Sequence, residues 1–119
     1  MMSDFLQNKY HEAYSAFESV VEGSKFIVRH RSLKKYEDKT NQDILFLLND
    51  KTVCAVYVGK DTYKIWINNP VWHELSKRNP TEIRSDGYYD IFCGNLDDCI
   101  DEVKSIIIPI ASDFSWIPF

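Results

Sequence analysis

The chain has 119 residues, 45% of them hydrophobic and 14% aromatic, with a formal net charge of −4. That is the size and composition of one ordinary domain, which excludes a fibre, a disordered tail and a chain too short to build a core. No apolar run is long enough to cross a bilayer, and Met1-Met2-Ser3-Asp4 lacks the basic and apolar regions of a signal peptide, so a cytoplasmic protein with no membrane partner is expected.

Ser3 is placed to cap a helix that begins near Asp4. Leu6, Tyr10, Ala13, Tyr14, Phe17, Val20 and Val21 recur at helical spacing and mark its inward face. Gly23 supplies the stop, because glycine adopts the left-handed conformation cheaply. Lys25 to His30 reads as a strand with Phe26 and Val28 on one side and Lys25, Ile27 and Arg29 on the other. Ser32 to Asn41 is polar and charged, and its pattern suits a strand, a helical turn or a loop.

Three short strands follow in immediate succession: Ile44 to Leu48, Val53 to Val58 and Tyr63 to Ile67. Asn49-Asp50-Lys51 and Gly59-Lys60-Asp61 divide them and read as hairpin turns, since Asn, Asp and Gly tolerate positive backbone angles. The stretch predicts an antiparallel meander. Asn69-Pro70 ends it and opens a short helix as far as Lys77, with Val71, Trp72, Leu75 and Ser76 inward. After Gly87, Tyr89, Ile91 and Cys93 alternate with Tyr88, Asp90 and Phe92 in a last strand. Asn95 caps a final helix with Leu96, Ile100, Val103 and Ile107 on one face. Pro109 should end that helix near Ile107 or Ile108.

The order implies an α+β fold over residues 1–119 as a single domain. An antiparallel β-meander sheet is packed on one face by the N-terminal and C-terminal helices. The other sheet face is expected to be partly exposed, because Thr52, Thr62 and Lys64 alternate with apolar neighbours. An aromatic C-terminal tail, residues 111–119, carries Phe114, Trp116 and Phe119.

No residue set demands a reaction. Cys54, Cys93 and Cys99 are odd in number and sit in apolar segments, so they read as buried small side chains, and no disulfide framework is expected. The three histidines are far apart in sequence without metal-site spacing. No glycine-rich phosphate loop or serine elbow is present. No catalytic residue, metal or cofactor is therefore assigned, and the chain is read as not an enzyme.

Charge is segregated. Residues 86–119 hold seven Asp/Glu and one Lys. Asp97, Asp98, Asp101 and Glu102 lie in the first turns of the last helix, where they complement the helix dipole and also present an acidic face to a basic partner. Residues 29–36 are basic, and Arg29, Arg31, Lys34, Lys35 and Tyr36 interleave charge with a ring as single-strand binding surfaces do.

Lys34-Lys35-Tyr36, Lys64-Ile65-Trp66-Ile67 and Asn95-Leu96-Asp97-Asp98 with Val103 and Ile107 span residues 33–108. In these features the chain resembles a family of small uncharacterised α+β domains that occur alone or appended to predicted endonuclease-like proteins. The resemblance implies the fold and supplies no catalytic residues.

The resulting expectation is a small non-catalytic protein-binding protein, monomer or homodimer. It would act as an inhibitor or immunity-type protein that occludes a nuclease or defence complex. Asp97, Asp98, Asp101 and Glu102 would steer the partner, with Tyr88 and Trp116 as anchors. The alternative is an accessory nucleic-acid-binding module using the basic segment 29–36.

Overall fold

The computed structural model describes residues 4–30, 42–67, 82–83 and 89–112, with backbone alone at 82–83, 89–90 and 109–112. The elements are α1 (Asp4–Val21), β1 (Ile27–His30), β2 (Asp43–Leu48), β3 (Lys51–Val58), β4 (Tyr63–Ile67), β5 (Glu82–Ile83), β6 (Tyr89–Cys93) and α2 (Leu96–Ser112). The strands form one six-stranded antiparallel sheet in the order β1-β2-β3-β4-β6-β5. Both helices pack on the same sheet face and touch each other, giving the expected α+β meander.

Alternation along each strand explains the layering. Ile44, Phe46 and Leu48 of β2, Cys54, Val56 and Val58 of β3, and Tyr63, Ile65 and Ile67 of β4 point to the helices and are buried. They meet Tyr10, Ala13, Phe17 and Val21 of α1 and Cys99, Val103, Ile106 and Ile107 of α2. Phe17 meets Phe46 edge to face, with ring centroids 5.1 Å apart at 86°, the geometry that the ring quadrupole favours. Removing each such large side chain from water stabilises the fold by roughly 1.5–3 kcal/mol.

The turns follow local chemistry. Asn49 and Asp50 have φ of 52° and 64°, the two left-handed positions of a tight hairpin. Gly59 is required for a different reason. A Cβ there would lie 2.9 Å from the Thr62 carbonyl oxygen, whereas the Gly59 N–H donates to that oxygen at 2.9 Å. Gly23, at φ 80°, carries the chain out of α1, and Ser24 then donates both N–H (2.9 Å) and hydroxyl (2.7 Å) to the Val21 carbonyl.

Polar tethers add to the apolar seat of α1. Lys9 Nζ donates to the Gly59 and Lys60 carbonyls at 2.6 and 3.1 Å and lies 4.4 Å from the centre of the Tyr63 ring. Tyr10 Oη donates to the Asp43 carbonyl at 2.9 Å and lies 2.6 Å from His30 Nδ1. Tyr14 Oη donates to the Val28 carbonyl at 3.2 Å, and its ring stacks on His30 at 4.2 Å.

Three expectations change. A β-bulge falls where Phe46 pairs with Cys54 but Leu47 pairs with Thr52. Val53 is the extra residue, and it is buried beside Cys54 rather than turned away. The face away from the helices is less open than expected: Leu45, Leu47 and Ala55 are buried there, with Leu47 1% exposed, and Trp66 packs partly against them. The run Ile44 to Leu48 is apolar at every position, so both faces of β2 must find cover. Finally, α2 runs through Pro109 to Ser112. A proline deletes one donor and crowds one carbonyl; that bends a helix without ending it when the preceding turn is held by buried Ile106 and Ile107.

Candidate functional site

The acidic cluster expected from sequence is built by one cap. Asn95 Oδ1 accepts from the Asp98 N–H at 2.8 Å, the Asn95 carbonyl accepts from the Cys99 N–H at 3.1 Å, and Asn95 Nδ2 donates to Asp98 Oδ2 at 3.0 Å. Asn95 is therefore the expected N-cap. Asp98 does double duty, completing the cap and showing charge to solvent. Cys99, Val103, Ile106 and Ile107 form the buried stripe, with Leu96 and Ile100 partly buried beside it. That orientation leaves Asp97, Asp98 and Asp101 exposed and Glu102 half-buried.

Three of these four carboxylates share a feature that sequence spacing could not show. Asp98, Asp101 and Glu102 line a cleft of about 400 Å³ with Ile91, Phe92, Cys93 and Gly94 at the end of β6. Asp97 lies on the same helix but does not line it. Phe92 is 44% exposed. Its partner in the register is Lys64, whose ammonium lies 5.5 Å from the centre of the Tyr57 ring. Its parity, opposite to that of Ile91 and Cys93, turns the ring to the outer sheet face with Tyr57 and Lys64, while the carboxylates stand on the helix side.

The anchors expected from sequence, Tyr88 and Trp116, lie outside the described residues, as do residues 113–119 of the aromatic tail. So do Ser3, the segment 32–41, the helix expected at Pro70 to Lys77, and Arg31, Lys34, Lys35 and Tyr36. Of the basic set only Arg29 is described; it is exposed on β1 and pairs with Leu45. Phe92 was missed as an anchor. The available signal was its parity, opposite to Ile91 and Cys93.

All three cysteines are buried and free of disulfides. Burial pushes the Cys54 thiol up to about 12. Burial also raises Cys99, helped by the adjacent Cys93, with which its thiol is in hydrogen-bond contact. The neutral thiol is the favoured form at both, the opposite of an activated nucleophile. No group of three or more His, Cys, Asp or Glu among the described residues is arranged to hold a metal ion, and no described helix is long and apolar enough to cross a membrane.

Comparison of the chain with protein-family models, with curated proteins and with solved structures finds no match in any of the three.

Proposed function

We propose that the chain is a small protein-binding protein that occludes a basic surface of its partner, as an inhibitor or immunity-type protein does to a nuclease or a defence complex. One observation carries this reading: the carboxylates of Asp98, Asp101 and Glu102 together wall a cleft at the end of β6. Proteins that act on nucleic acid present lysines and arginines to phosphates. An acidic wall competes for those cations, and its field speeds capture.

The test uses the immobilised full chain and a nuclease-treated lysate of its native cells. One basic protein should be captured at equal stoichiometry, and the purified partner should lose activity when the chain is added. A folded Asp98→Asn, Asp101→Asn, Glu102→Gln variant should bind it at least about tenfold more weakly, with a smaller salt dependence. Unchanged binding by that variant would sink the proposal.

A second reading has its own support. Arg29, Leu45, Ala55 and Trp66 form one cross-strand row on the outer sheet face, and Tyr57, Lys64 and Phe92 form another. Rings beside cations are the recipe of a single-strand platform. Retardation of single-stranded oligonucleotides at low salt, lost in Arg29→Ala/Lys64→Ala, would favour it; no retardation would end it.

A further inference from the structure

Cys93 and Cys99 belong to neither reading, yet they form a pair with a defined approach. Cys93 ends β6 and lines the acidic cleft; Cys99 sits one turn into α2, fully buried, with its thiol against that of Cys93. The five residues between them are rigidly tied. Thr62 Oγ1 donates to the Cys93 carbonyl at 2.8 Å, and the Asn95 carbonyl accepts from the Cys99 N–H at 3.1 Å. Cys93 therefore borders the cleft, and Cys99 lies behind it in the core.

We infer that Cys93 and Cys99 form a reversible disulfide, entered from the cleft by small cationic disulfides. Cys93 loses its proton to solvent and its sulfur attacks one sulfur of the reagent. A mixed disulfide forms and one thiolate leaves, taking up a proton. The Cys99 sulfur then attacks Cys93, releases its own proton and displaces the second thiolate. Two protein thiols are oxidised and one disulfide is reduced to two thiols, so electrons and protons balance. A dithiol reverses the exchange.

Selectivity comes from the wall. Asp98, Asp101 and Glu102 attract ammonium groups and repel carboxylates. Burial of both thiols slows reaction for every reagent, and charge decides the relative rate. The ammonium of Lys64 lies across the sheet from Phe92, over Tyr57 rather than in the cleft wall. Closure would pin the end of β6 to the first turn of α2, at the floor of the cleft.

The test compares cystamine with dithiodiglycolate, similar in size and opposite in charge, on the folded full chain. Cystamine should give a product lighter by two hydrogens, and a non-reducing peptide map should join residues 93 and 99. Dithiodiglycolate should react about tenfold more slowly, and added salt should narrow the gap. Cys99→Ser should stop at the mixed disulfide, carrying one cysteamine on Cys93; Cys99→Ala repeats this if the serine variant does not fold. Closure onto Cys54, an adduct that never closes in the unsubstituted chain, or reaction only after unfolding would each overturn the inference. Equal rates for the two reagents would overturn the selectivity. The outcome does not depend on any protein partner, so it is independent of the proposed function.

Discussion

The two helices are seated on the same sheet face by different means. α1 combines a buried stripe with polar bonds from Lys9, Tyr10 and Tyr14 to strands and turns. α2 is buried through Cys99, Val103, Ile106 and Ile107, and its N-terminal bonds stay within its own cap at Asn95. Polar tethers fix where α1 sits along the strands, because each has one acceptor at one place. Apolar seating with a self-contained cap leaves Asp97 and Asp101 of α2 exposed to solvent. Position is specified at the first helix, and surface chemistry is displayed at the second.

Truncating the apolar seats should cost most and should cost similarly on both helices. Phe17→Ala and Ile106→Ala are each expected to destabilise by about 3–5 kcal/mol in urea unfolding. A cost below about 1 kcal/mol for Ile106→Ala would break the account of α2. Tyr10→Phe comes next, at roughly 1–3 kcal/mol, because it removes the buried hydroxyl that bonds the Asp43 carbonyl and contacts His30 Nδ1.

Alkali should separate a buried hydroxyl from a solvent-facing cap as well. Burial raises Tyr10, with neighbouring Tyr14 and Asp43 adding to it, and burial likewise raises Tyr14, Tyr63, Cys54 and Cys99. A folded pKa above the unfolded value favours the protonated form. These groups therefore stabilise fully below their ordinary values of 9.0 for cysteine and 10.0 for tyrosine, and that contribution is lost as pH rises through the folded values. Stability should fall from about pH 9 upward. Tyr10→Phe should shallow that fall, whereas Asn95→Ala should lower stability equally at pH 7 and pH 10.

Asn95→Ala should cost about 1 kcal/mol. The smallest change is Asp101→Asn, within about 0.5 kcal/mol in stability. It should nonetheless weaken partner capture measurably, and that dissociation of stability from binding is the sharpest form of the contrast. A stability loss at Asp101 as large as that at Asn95 would erase it.

Much of this architecture was legible along the chain. Alternation in β3 and β4, the Asn49-Asp50 turn, the Gly23 exit and the Asn95 cap are local signals, and local chemistry decides them. Pro109 misled, because its effect depends on how firmly Ile106 and Ile107 are held, a tertiary fact. The bulge at Val53 was hidden, since a two-residue period cannot report an extra residue that stays buried. The acidic run was legible as a run. Its division into three carboxylates that wall a cleft and one that does not depends on how α2 settles against β6. The meeting of Cys93 with Cys99 depends on the same docking.

One more consequence lies in the hydroxyl of Tyr10. It carries a single proton, and the Asp43 carbonyl can only accept, so that proton is committed to the carbonyl. The 2.6 Å contact with His30 must then run the other way, from Nδ1–H to the tyrosine oxygen. The junction of helix and strand is thus wired in one direction, from imidazole to tyrosine to strand carbonyl. Nitrogen chemical shifts of the imidazole would read that assignment directly.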